Sequence, residues 1–261
     1  MSKSRFFAFG CSYTNWIHNP TWADFIGINY NKYYNFGRPG ASNTYIMQKF
    51  IEADELYNFN ADTDYIIVAI TGFGRFTYLE IPDDVVIPIG FKGRYNWETN
   101  GDILFANDEH PTKAKLIRNK IYNWPWAAYD SWIATTIIKK LLTLKGIQHK
   151  IIMALDNSHY IDEAYTLGLD REFENIGYIV PKIKNIYDIL DIKESIEVYR
   201  KNNSEYEQSN HPTGQVYYDY CLKYMPESLS NKSLDLLNTS EELWKAKINN
   251  TKGNSQILRV I

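Results

Sequence analysis

The period of the hydrophobic pattern changes several times along this chain, and each change predicts an element. Residues 5–9 are a short apolar run closed by Gly10, the pattern of a buried strand. A polar loop and a short helical stretch over 21–26 follow. Residues 33–36 read as a second strand, ended by Gly-Arg-Pro-Gly-Ala-Ser-Asn over 37–43, where Gly and Pro break any regular element. From Asn43 the period becomes helical, with Ile46, Phe50, Ala53 and Tyr57 on one stripe, predicting a helix to about Leu56. Residues 65–70 are continuously apolar and β-branched, as in a strand covered on both faces. Pro125 suits the first turn of a further helix, whose stripe is Trp126, Tyr129, Ile133, Ile137, Leu141 and Leu144, with Gly146 as its cap. Residues 150–155 form a fourth strand.

Strands alternating with helices predict a three-layer α/β domain, a mainly parallel sheet with helices on both faces. Chemistry in such folds sits in the loops beyond the strands' C-terminal ends. Here those are 10–15 (Gly-Cys-Ser-Tyr-Thr-Asn), 37–43, 71–75 (Thr-Gly-Phe-Gly-Arg) and 155–160. Two regions break the repeat. Residues 76–123 form a β-rich insertion, with strand-like pieces at 84–89 and 103–105, turns at Gly90, Gly93 and Gly101, and the aromatic residues Tyr95 and Trp97. It is expected to fold as a hairpin over the site entrance or as a structural flap. The tail after Met225 is polar, with one helix capped by Ser240 and carrying Leu243 and Trp244. The division is thus a domain over 1–226 and an extension over 227–261, which docks on the domain or on another subunit.

Composition narrows the function classes. The 261 residues carry 28 Lys plus Arg against 31 Asp plus Glu, a net charge of −3, which argues against nucleic acid as a partner. The apolar run 66–70 is far too short to span a membrane. The first ten residues hold no apolar run of signal-peptide length, so a cytoplasmic or virion-associated protein is expected. Two cysteines, Cys11 and Cys221, make neither a disulfide framework nor a zinc set, and His18, His149 and His159 lack metal-ligand spacing. No metal or cofactor is expected. The 15 % aromatic content fits an AT-rich coding sequence, as in many viruses, although Tyr-rich surfaces also suit carbohydrate.

Ser12 stands two residues after the glycine that ends the first strand, at the sheet edge where backbone N–H groups are free. A hydroxyl becomes a nucleophile only with a base in hydrogen-bond reach. His211 is the best candidate: Pro212 stiffens its backbone, and Thr213 caps the helix bearing Tyr217, Tyr220, Cys221 and Tyr224. These two ends resemble the SGNH, or GDSL-like, hydrolase family, over roughly residues 5–224. Its first block, with the nucleophilic serine, is matched by Phe-Gly-Cys-Ser-Tyr-Thr, Cys11 standing where many members have Asp. Its second block supplies an oxyanion-hole glycine, matched by Gly40. Its last block, Asp-x-x-His-Pro, is matched at His211 and Pro212. A second His-Pro pair, at His110, lies inside the insertion, before the helix and strand that should precede that block.

The resemblance implies a flavodoxin-like fold and an acyl-ester hydrolase without metal or cofactor, acting on lipids, small esters or acetylated carbohydrates. Two positions depart from it. The third block's Asn and Asp are replaced by Gly74 and Arg75, so an oxyanion donor is missing; such a donor is worth about 10²–10³ in rate. Asn43, Thr71 and Arg75 are the candidate replacements. Gln208 stands where the last block's Asp belongs; Gln208, Glu205 or Glu207 would then orient the histidine. Tyr13, Tyr95 and Trp97 are the candidate substrate contacts, and the aromatic insertion points towards an O-acetylated carbohydrate. Two other readings compete. One is a catalytically impaired SGNH-fold module that binds a glycan or forms part of a viral particle. The other is a flavin-phosphate binder using Gly10, Ser12, Thr14 and Asn15 as a cradle.

Overall fold

The computed structural model describes residues 3–16, 19–79, 101–104, 124–158, 186–203, 211–250 and 259–260. Four strands form an all-parallel sheet: β1 (Arg5–Gly10), β2 (Lys32–Gly37), β3 (Asp64–Ile70) and β6 (Gln148–Met153). Their spatial order is β6-β3-β1-β2, and β7 (Arg259–Val260) adds an antiparallel pairing on the free edge of β2. Register is pinned where β1 and β3 begin. Arg5 lies directly opposite Asp64 and grips its fully buried carboxylate with two hydrogen bonds of 2.6 and 2.7 Å. A one-residue slip would break this fork and turn every core side chain of β1 to the wrong face.

The helices are α1 (Trp22–Gly27), α2 (Asn43–Tyr57), α3 (Trp124–Leu144), α4 (Ile186–Ile189), α5 (Ile196–Asn203), α6 (Gly214–Tyr224) and α7 (Asn231–Asn250). Their ends follow local chemistry. Ser42 accepts the Tyr45 N–H at 3.1 Å to start α2, and Thr213 accepts the Val216 N–H at 3.4 Å to start α6. Beyond α3, Gly146 adopts a left-handed φ of 64°, the cap expected of it.

Alternation along β1 sorts the helices into two layers. Phe7 stacks on Tyr34 at 4.7 Å and meets Tyr57 of α2, and Phe9 stacks on Phe36 at 5.0 Å and meets Phe50 of α2. Phe6 points the other way, stacking on Tyr30 and Tyr33. The Tyr33 ring lies so close to Gly27 of α1 that a Cβ there would fall 2.5 Å from it. On one side α2 packs against α3; on the other α1 packs against α6 and α7. The chain is therefore an α/β domain with a parallel central sheet and helices on both faces. Among the described residues no helix is long and apolar enough to cross a membrane.

Two expectations change in detail. The insertion begins with β4 (Phe76–Leu79) paired antiparallel to β5 (Gly101–Leu104); β5 overlaps the strand expected at 103–105, whereas β4 was not expected. The expected strand at 84–89, Tyr95 and Trp97 lie outside the described residues. Ser240 does not cap the tail helix: α7 starts nine residues earlier, where the Ser230 hydroxyl accepts the Lys232 N–H at 3.1 Å. Over 231–240 only Ser233 is buried, so hydrophobic periodicity did not mark this start. The fully buried Ser233 donates to the Phe25 carbonyl at 2.7 Å and accepts from Asn29 at 2.9 Å, docking the extension on α1.

Phe9 touches Phe36, Phe50 and Phe59 with no exposed surface. Replacing it with Ala is expected to cost about 3–5 kcal/mol in urea unfolding. Cys11 and Cys221 are both free and fully buried, and burial pushes the Cys221 thiol far above its ordinary value. Burial keeps both thiols out of a reagent's reach, so neither should react with a disulfide reagent at pH 8 until the protein is unfolded.

Candidate active site

The loop after β1 is a tight turn: the Thr14 and Asn15 N–H groups both donate to the Cys11 carbonyl, at 2.9 and 3.2 Å. Two asparagines hold it from β2. Asn15 donates its amide to the Gly37 carbonyl at 2.9 Å, and Asn35 donates to the Thr14 carbonyl at 2.9 Å while accepting the Gly37 N–H. Thr21 donates to that same Thr14 carbonyl at 2.7 Å, tying the loop to the start of α1. Close approach explains the glycines. A Cβ at Gly10 would lie 2.0 Å from Thr14 Oγ1, and one at Gly37 would lie 2.8–2.9 Å from Asn15 and Thr14.

This turn presents Ser12 to His211, at the threshold of α6. His211 Nε2 and Ser12 Oγ are 2.8 Å apart, although 199 residues separate them in sequence. The imidazole lies flat against the Trp16 indole, with centroids 3.7 Å apart and planes 7° apart, and the Tyr13 ring lies 5.4 Å from it. Burial pushes the Tyr13 phenol well above its ordinary value, and the Glu197 carboxylate adds to the shift. Tyr13 is therefore a neutral phenol at physiological pH and no rival base to His211.

The loop after β2 carries Gly40. The Ala41 N–H donates to the Arg38 carbonyl at 3.0 Å, closing a turn with Pro39 and Gly40 at its centre, and Gly40 has a φ of 85°. Pro followed by a positive-φ glycine is the chemistry of a type II turn. The Arg38 N–H donates back to the Gly10 carbonyl at 3.0 Å, joining this turn to the end of β1. Among the described residues no group accepts from the Ser12 or Gly40 N–H.

The loop after β3 is clamped by two further asparagines. Asn43 accepts the Thr71 N–H at 2.8 Å and donates to the Thr71 carbonyl and to Ser131 Oγ, at 3.1 and 3.0 Å. Its side-chain amide is thus given two acceptors, so the Asn43 side chain braces the loop and has no donor left for an oxyanion. Asn157 accepts the Phe73 N–H at 2.9 Å and donates to the Thr71 carbonyl at 3.2 Å. Thr71 Oγ1 accepts from Arg75 Nη1 at 2.7 Å, which leaves its own hydroxyl hydrogen to give. Of the replacement donors, Thr71 keeps this capacity.

Several candidates fall elsewhere. Glu205, Glu207, Gln208, His110, His18 and His159 lie outside the described residues. His149 sits on β6 with Nδ1 at 2.7 Å from the Ile147 carbonyl, a structural bond. Of the phosphate cradle expected over 10–15, the Thr14 and Asn15 N–H groups are engaged with the Cys11 carbonyl. Among the described residues no cluster of His, Cys, Asp and Glu is arranged to hold a metal ion. Trp16, Asn35, Ser131 and Asn157 were not singled out from sequence. Asn157 does lie in the fourth strand-end loop, so topology alone could have flagged it; Trp16 carries no signal beyond its closeness to Ser12. No protein-family model matches the chain, and no curated protein is significantly similar to it.

Asn43→Ala would leave the Thr71 N–H buried and unsatisfied. It is expected to lower stability by about 1–3 kcal/mol, measured by urea denaturation.

Proposed function

We propose that this chain is a serine acyl-ester hydrolase of the SGNH, GDSL-like type, with Ser12 as nucleophile and His211 as general base. The observation that carries the reading is the 2.8 Å contact between His211 Nε2 and Ser12 Oγ. A base in that position is what converts a loop hydroxyl into a nucleophile. The setting supports it. Counted along the chain, the parallel strands lie in the order second, first, third, fourth, as in a flavodoxin-like sheet. Ser12 follows β1 at the point where that order reverses, the place where α/β folds put their ligands.

In the proposed reaction Ser12 Oγ attacks the ester carbonyl carbon as His211 Nε2 takes the hydroxyl proton. The oxyanion that forms accepts from the Ser12 and Gly40 N–H groups, with Thr71 Oγ1 as third donor in place of the missing asparagine. Collapse breaks the bond to the alcohol, which leaves with the proton from His211. Water then enters and gives a proton to His211 as its oxygen bonds the acyl carbon; the acid leaves as the bond to Ser12 Oγ breaks and His211 returns the proton to Oγ. Arg75, hydrogen-bonded to Thr71, polarises that hydroxyl. Fluorine-free esters of small acyl groups are the first substrates to try, and O-acetylated sugars follow from the aromatic insertion.

A fluorophosphonate probe is expected to label Ser12, identified by peptide mass spectrometry. Ser12→Ala should abolish labelling, and His211→Ala should slow it about 10²–10⁴-fold. A well-folded parent that is not labelled would overturn the hydrolase and leave a binding module on the same fold.

A further inference from the structure

We propose that Trp16 is a positioning residue for His211, acting through ring stacking from the position that directly follows the turn presenting Ser12; this rests on the hydrolase reading. The two rings are nearly coplanar in orientation and in contact, with centroids 3.7 Å apart and planes inclined by 7°. A neutral imidazole gains dispersion and loses rotational freedom in such a contact. Once it has taken the serine proton it is a cation over the electron-rich face of an indole, the strongest of the aromatic partners for a cation. The stack thus holds the ring with Nε2 aimed at Ser12 and favours the imidazolium as it forms.

The covalent arrangement makes this more than a chance contact. Ser12 lies in the turn closed by the two N–H bonds to the Cys11 carbonyl and fixed to β2 by Asn15 and Asn35, and Trp16 directly follows the last residue of that turn. Nucleophile and stacking plate therefore move together. His211 comes from the other end of the chain and meets both at once, its edge on Ser12 and its face on Trp16. One rigid element sets two of the ring's coordinates, its distance from Oγ and its plane.

The test compares Trp16→Leu, which fills the space without a π-face, with Trp16→Phe, which restores one. Trp16→Leu is expected to slow fluorophosphonate labelling of Ser12 by about 3- to 30-fold, the range a stacked cation–π contact supports. Trp16→Phe should stay within about 3-fold of the parent. Labelling of Trp16→Leu at the parental rate, or equal slowing in both variants, would overturn the proposal. A second readout needs no activity. The chain has seven Trp, and the difference in emission between parent and Trp16→Phe isolates Trp16. Because a stacked imidazole quenches indole, that difference should rise when His211→Ala is introduced into both. If it does not change, the stack is absent and the proposal fails. A parent that is never labelled, yet shows the rise, would sink the hydrolase while leaving the stacked pair in place.

Discussion

β1 is hydrogen-bonded to a parallel neighbour on each edge and packed against aromatic side chains on each face, so the strand is held from four sides. The chain must leave its end through a layer where both flanking strands also end. Gly10 permits this, because its Cα already lies against the Thr14 side chain and the Ala69 carbonyl. The turn that follows inherits the rigidity of the strand. A serine two residues past such a strand is located by the whole sheet, whereas one in a long free loop would be located by nothing.

Asparagine does the remaining work at this edge. Backbone groups just past the strand ends have lost their ladder partners, and leaving them buried and unpaired costs about 1–3 kcal/mol each. Asn35 and Asn15 satisfy the loop after β1, and Asn43 and Asn157 satisfy the loop after β3. A carboxamide suits the task because one side chain both donates and accepts, matching an adjacent N–H and C=O. The same bonds that complete the fold thereby fix three strand-end loops against one another. Asn43 illustrates the consequence: its position near the site is explained by what it braces.

The histidine depends on a different support. α6 begins at Gly214, beside Pro20, Phe25 and Leu237, and the Cys221 thiol of α6 lies near the Trp22 carbonyl of α1. α7 reinforces the contact through Ser233 and Asn29. The C-terminal extension thus braces α1, α1 braces α6, and α6 begins where His211 reaches the sheet edge. Two parts of the chain that share no local pattern are brought to one point by helix packing.

The sequence by itself determined the α/β class, the four parallel strands to within two residues at each end, the caps at Thr213 and Gly146, and the pairing of Ser12 with His211 as candidates. These were legible because burial on both faces leaves an unbroken apolar run, and because Gly, Pro, Ser and Thr act through local backbone geometry. The 2.8 Å contact, the flat stack of Trp16, the commitment of Asn43 to Thr71 and Ser131, and the long polar α7 docked on α1 were decided only by tertiary structure. Periodicity reports which side of an element is buried. It is silent on which polar group across a distant loop an asparagine will meet, because a hydrogen bond between residues far apart in sequence leaves no repeat in it.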